Sequence, residues 1–190
     1  MNDFKPESIN WKPASHEGAN FCTYRLAVTN DKQLAFKPTL LYRTFALVFL
    51  GAGIWLLNFL IYGEPTYRNG MQGKWADVVP FGLGIFFIGG GIWMVFSQLN
   101  GITFSATSRT IKTKKETINF SDVAAIQLLK KIKRLTRTNG GSARYYTYEM
   151  NIVKNNNSRV FLVAHSDRKT IEKDARLISR YIDKEIHSNI

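Results

Sequence analysis

Three histidines (His16, His165, His187) and one cysteine (Cys22) are the imidazole and thiol groups of this 190-residue chain, the first side chains to test for a metal site or a nucleophile–base pair. The histidines are far apart and no spacing matches a metal site. A single thiol can form neither an internal disulfide nor a Cys-based zinc cluster, so Cys22 is expected as a small, buried or partly buried residue. His165 follows a strand-like run and reads as a surface or structural histidine. The glycine-rich GLGIFFIGGG (82–91) lies inside an apolar block, not between a strand and a phosphate-facing helix, so it is no nucleotide loop. There is no nucleophile elbow, and the carboxylates are scattered among basic neighbours. The sequence therefore predicts a protein that is not an enzyme, with no cofactor, no metal and no small-molecule substrate.

The chemistry that remains is electrostatic. KKIKRLTR (130–137) runs into TNGGSAR, placing Lys130, Lys131, Lys133, Arg134 and Arg137 before a hairpin turn and Arg144 after it. Tyr145, Tyr146 and Tyr148 follow, and Tyr146 and Tyr148 share one face of a strand. One reading is a strand edge protected by lysines against aggregation. The other is a cationic finger with an aromatic anchor, able to meet an acidic protein surface or anionic lipid headgroups, which attract about 1 kcal/mol per basic residue near a bilayer. Nucleic acid is the weaker partner, because no recognised module is present.

The net charge is +12, and residues 101–190 hold 18 Lys and Arg against 8 Asp and Glu. The mean hydropathy of −0.16 hides a segregation into polar ends and two apolar blocks. Thr44–Ile61 is eighteen residues and Val78–Leu99 twenty-two, both uncharged. A bilayer core of about 30 Å needs roughly 20 apolar residues in a helix. Tyr42, Tyr62, Tyr67, Trp75 and Trp93 lie at or near the block ends, Arg43 can snorkel, and Pro80 suits a first helical turn. The blocks predict transmembrane helices at 41–62 and 78–99. Gly82 and Gly89 share one face, as do Gly84 and Gly91, and Gly51, Ala52 and Gly53 form a small patch on the first span. These predict a tight antiparallel pair or a contact between copies in a homo-oligomer. Asn58 is expected to bond across to the other helix. Neither span has the ionisable residues a transporter needs.

No apolar leader precedes the first span, so that span must itself target the chain. Arg25, Lys32, Lys37 and Arg43 precede it, and Arg109, Lys112, Lys114 and Lys115 follow the second. The loop between them (63–77) has only Arg68 and Lys74, offset by Glu64 and Asp77. The positive-inside rule puts both termini in the cytoplasm and this loop outside.

Beyond Leu99 the apolar period is two. Strands are predicted over 101–105, 109–113 and 116–120, then over 121–135, where a short helix is also compatible. TNGG (138–141) is a hairpin turn, followed by strands at 144–153 and 159–165. Ile171, Ala175, Ile178, Ile182 and Ile186 form one apolar stripe of a closing helix, which Ser166 or Asp167 can cap. Before the membrane, 20–28 and 34–37 read as a β-hairpin. A lone hairpin is marginal in water, so the 19–40 segment is expected to pack on the C-terminal sheet. Residues 1–18 are expected to be disordered.

The fold class is thus an α+β membrane protein: a two-helix transmembrane hairpin plus an antiparallel sheet or half-barrel over 100–190, capped by a C-terminal amphipathic helix. Two spans followed by G-I-T-F-S, R-T-I-K-T and I-N-F-S-D-V-A-A-I-Q-L resemble bacterial two-pass inner-membrane proteins with a PH-like (pleckstrin-homology-like) cytoplasmic domain. More distantly, the layout is similar to the photosystem I assembly factor of plastids and cyanobacteria. The resemblance covers about residues 20–187. It implies a membrane-tethered, protein-binding or lipid-binding module and brings no catalytic motif. Two alternatives share this layout: an immunity protein that neutralises a membrane-acting secreted toxin, and an assembly factor for a membrane complex.

Overall fold

The computed structural model describes residues 7, 9–15, 18–30, 33–62, 78–99, 101–136 and 142–190. The expected loop 63–77 and the hairpin tip 137–141 lie outside these residues. The chain divides into two units, one made of Met1–Thr39 with Gly101–Ile190 and the other of Leu40–Asn100.

The second unit is a helix pair, α1 (Leu40–Tyr62) and α2 (Val78–Leu99). Both are long and apolar enough to cross a membrane. Three glycines make their contact. A Cβ on Gly53 would sit 2.6 Å from Ile88 Cγ1 and 2.8 Å from the Gly84 carbonyl oxygen. One on Gly84 would sit 2.7 Å from Leu57 Cδ2, and one on Gly91 2.6 Å from Leu50 Cγ. No side chain fits there, so glycine is what lets the backbones approach. Phe49 meets Phe87 edge-on at 5.3 Å, and the Tyr42 hydroxyl lies 3.3 Å from Ser97 Oγ. Three expected packing residues are elsewhere: Gly51, Gly82 and Gly89 face open space. Asn58 is exposed and makes no bond to α2 among the described residues, contrary to expectation. Its position, seven residues beyond Gly51, turns it to the same outward face of α1.

The other unit is a mixed α+β body of two sheets and one helix. In the first sheet, β1 (Tyr24–Asn30), β2 (Gln33–Pro38), β3 (Thr103–Ser105), β4 (Thr110–Lys112) and β5 (Thr117–Asn119) lie in that order, each antiparallel to the next. The helix pair is thus inserted between two hydrogen-bonded neighbours, β2 and β3, and Leu34 pairs with Phe104 across them. A single turn of 3-10 helix (Phe120–Asp122) leads to the second sheet. There β6 (Val123–Thr136), β7 (Ser142–Lys154) and β8 (Arg159–His165) are antiparallel. The region that sequence left open between strand and short helix is therefore one long strand. Alternate residues of the two sheets, among them Phe36, Phe104, Ile111, Ile126, Met150 and Ile152, form one core.

Helix α3 (Arg168–Ile182) covers that core with Ile171, Ala175, Ile178 and Ile182. Asp167 caps it, accepting from Thr170 N–H at 3.1 Å. The helix ends earlier than its apolar stripe predicts. Asp183 takes a left-handed conformation (φ 57°), and Lys184 N–H returns to the Ser179 carbonyl. Ile186 then enters a short strand, β9 (Ile186–Ser188), parallel to β6 opposite Ile126.

Candidate functional site

Strands β6 and β7 outrun their neighbours. β9 pairs with β6 only at Ile126–Leu128, and β8 reaches β7 only as far as Tyr148. Beyond these points they form a two-stranded ribbon to Thr136 and Ser142. The register sets Lys130 opposite Tyr148, Ile132 opposite Tyr146 and Arg134 opposite Arg144. On this face Lys130 and Arg144 are exposed. Ile132 is 59% and Tyr146 49% exposed. The Lys130 ammonium lies 4.1 Å above the Tyr146 ring, a cation–π contact that holds cation and aromatic together. The ribbon is rooted where Lys130 N–H donates to Asn189 Oδ1.

Of the expected finger residues, this face collects Lys130, Arg144 and Tyr146, with Arg134 in register. Tyr148 is half-buried and packs against the core, so it is no free anchor. Arg137 lies outside the described residues. Lys131 and Lys133 alternate to the opposite side. Ile132 was missed in the sequence reading, because an isoleucine between basic residues looks like a core position until the ribbon is seen to run past its neighbours.

The opposite face carries the main departure from expectation. Lys131 is no part of a finger: it is 5% exposed and its Nζ lies 2.7 Å from Glu149 Oε2. Burial pushes the Glu149 carboxyl up. Hydrogen bonds from Lys131, Asn151 and the Ala14 N–H outweigh this and hold it below the usual range. Gln127, Thr147 and Asn151 are also fully buried on this face. What buries them is the N-terminal segment expected to be disordered. Gln127 Nε2 donates to the Asn10 carbonyl at 2.9 Å. Arg159 Nη1 donates to the carbonyls of Asn10 at 2.8 Å and Lys12 at 2.5 Å. Ala14 N–H donates to Glu149 Oε1 at 2.8 Å, and Lys131 Nζ to the Ser15 carbonyl at 3.1 Å. Ile9 is buried. Composition could not signal this, since the segment is polar and its partners lie more than a hundred residues away.

One pair with nucleophile–base residue types does form. Cys22 Sγ is 3.8 Å from His165 Nε2, although the two are 143 residues apart. The Asp167 N–H donates to His165 Nδ1 at 3.2 Å. A neutral ring that accepts at Nδ1 carries its proton on Nε2, facing the sulfur, and so cannot take a proton from it. Burial pushes the Cys22 thiol up, against the pull of Arg25, and pushes the His165 imidazolium down, against the pull of Asp167. Both shifts oppose a thiolate–imidazolium pair. The Asp167 carboxylate is already used on the start of α3. Among the described residues no group of three His, Cys, Asp or Glu could hold a metal ion. No protein-family model matches the chain, and no curated protein or solved structure is found to be similar to it.

Proposed function

We propose that this chain is a non-enzymatic, two-pass protein of the bacterial cytoplasmic membrane, and that its β-rich unit is a PH-like module whose ribbon docks on anionic lipid headgroups. The observation that carries the docking is the shared face of Lys130, Ile132, Arg144 and Tyr146. A headgroup zone rewards cations by charge and Ile and Tyr by partial burial. A polar protected edge would have no use for an exposed isoleucine and tyrosine. The PH-like reading is supported by two sheets around one core, antiparallel but for the β6–β9 pair and closed by a C-terminal helix. Membrane insertion is supported by the apolar side chains that α1 and α2 leave exposed, among them Leu47, Trp55, Phe86 and Trp93. A soluble monomer rarely leaves so much apolar surface in one region. Because β2 and β3 pair, the chain must leave and re-enter one unit, which requires an even number of crossings. The basic residues around the spans favour the cytoplasmic side for that unit.

Full-length protein in phosphatidylcholine nanodiscs should bind phosphatidylglycerol vesicles and leave phosphatidylcholine vesicles unbound. At about 1 kcal/mol per basic residue, the double change Lys130→Glu and Arg144→Glu should weaken binding at least tenfold. Equal binding to both vesicles, or no effect of the double change, ends the lipid reading. Release of the chain from membranes by alkaline carbonate would end the spanning reading.

A further inference from the structure

The face of the β6–β7–β8 sheet under residues 9–15 has the features of a binding site with its ligand in place. Among the described residues no backbone–backbone hydrogen bond ties residues 9–15 to the sheet. Side chains of the sheet read the segment's main chain: half-buried Arg159 takes two carbonyls, one of them shared with buried Gln127, while buried Lys131 takes one carbonyl and buried Glu149 one N–H. Ile9 is the one large side chain of the segment that is buried, while Trp11 and Lys12 point outward. The segment's backbone bends at Lys12 and Ala14, so recognition of this kind selects one main-chain path with one apolar anchor and tolerates most sequences.

The resident segment fits imperfectly. Thr147 Oγ1 and Asn151 Oδ1 are buried on this face with no hydrogen-bond partner. Unpaired buried acceptors weigh against the occupant that leaves them so. The charges point the same way. Lys131 and Arg159 outnumber Glu149, and the segment adds the like charge of Lys12. We propose that this face is a binding site for the main chain of a peptide, that residues 9–15 are its exchangeable internal occupant, and that its ligand is a neutral or acidic segment of a partner protein that takes the same bent path. The site is on the opposite side of the sheet from the exposed ribbon face, and the proposal holds whether or not that face binds lipid.

The test uses the full-length protein in detergent and a fluorescent peptide of residues 7–19 as probe. Wild-type protein should bind it weakly, because the face is occupied. Ile9→Asp in the protein removes the anchor of the internal competitor and should raise affinity at least tenfold. Arg159→Ala in that background, or N-methylation of the probe at Ala14, should remove the gain. A probe with Lys12→Glu should bind at least as tightly as the parent. Equal binding to wild type and Ile9→Asp, indifference to N-methylation, or weaker binding of the acidic probe would each overturn the proposal. Wild-type hydrogen exchange tests it without any variant: the Ala14 amide should exchange at least tenfold faster than that of Ile152. Exchange of Ala14 only in step with the core would mark a fixed structural element. A dimer of wild type that Ile9→Asp abolishes would assign the face to a second copy and reject a foreign peptide.

Discussion

Asp174 and Glu149 are two buried carboxylates whose environments push them in opposite directions. Asp174 sits on α3 with 4% of its surface exposed, and its Oδ2 accepts from the Leu26 N–H at 3.1 Å. Burial raises its pKa to about 6, although the Leu26 bond, Lys173 and Arg25 pull the other way. A raised carboxyl pKa means that the folded state binds the proton more tightly than the unfolded chain. Its contribution is complete below the ordinary value near 4 and is lost as pH rises through 6, at a cost on the order of 3 kcal/mol. Asp174→Asn keeps an acceptor for Leu26 and should raise the melting temperature at pH 7. Thermal scans should show this advantage fading as pH falls from 7 to 4. Glu149 has the opposite sign: its stabilisation is present above its ordinary value and is lost as pH falls through the lowered one, so acid unfolding should persist in the Asn variant. Removing one partner of the Lys131–Glu149 pair leaves a buried charge. Lys131→Met should therefore cost roughly 3–5 kcal/mol in denaturant titration, and the double change Lys131→Met with Glu149→Leu should cost less.

At the scale of elements, the glycines separate what a period can and cannot say. Seven-residue spacing correctly put Gly84 with Gly91 on one face and Gly82 with Gly89 on another. It could not say which face meets α1, because both helices are apolar all round and have no polar side to fix their rotation. The structure selects Gly84 and Gly91. Replacing Tyr42 and Ser97 by cysteine in a Cys22→Ser background should allow efficient cross-linking of the pair by a short bifunctional maleimide, which spans the gap left by the tyrosine ring. Gly84→Leu should suppress that cross-link and Gly82→Leu should leave it intact. Equal cross-linking would place the contact elsewhere. Two strands did not stand out for a related reason: at β6 a short helix was also compatible, and the residues of β9 read as the end of the closing helix. A KK pair interrupts alternation in β6, and β9 is three residues long and exists only because β6 offers it an edge.

At the scale of the molecule, the pairing of β2 with β3 makes the N-terminal hairpin part of the body that follows the helices. If α1 and α2 span the bilayer, both chain ends lie on one side and residues 63–77 on the other. In a Cys22→Ser background, Met71→Cys should react with a membrane-impermeant maleimide on intact cells. Asn156→Cys, in the turn between β7 and β8, should react only after lysis. The reverse pattern would invert the orientation, and labelling of both on intact cells would reject the two-pass arrangement.

What the sequence determined by itself was everything carried by short-range pattern. The two uncharged runs became α1 and α2, the alternating runs became strands, and the stripe from Ile171 to Ile182 became α3, because burial on one face imposes a period of 3.6 or 2 on neighbouring residues. The tertiary structure alone decided which polar groups would be shut away from water. It set Lys131 against Glu149, Cys22 beside His165, and residues 9–15 over the outer face of the second sheet. None of these follows from a local period. Cys22 and His165, and residues 9–15 and the sheet, meet from far apart in the chain. Lys131 and Glu149 are neighbours across one hairpin, and it is the distant N-terminal segment that helps shut them away from water, where a buried charge or main-chain group needs a partner and takes the one the fold supplies.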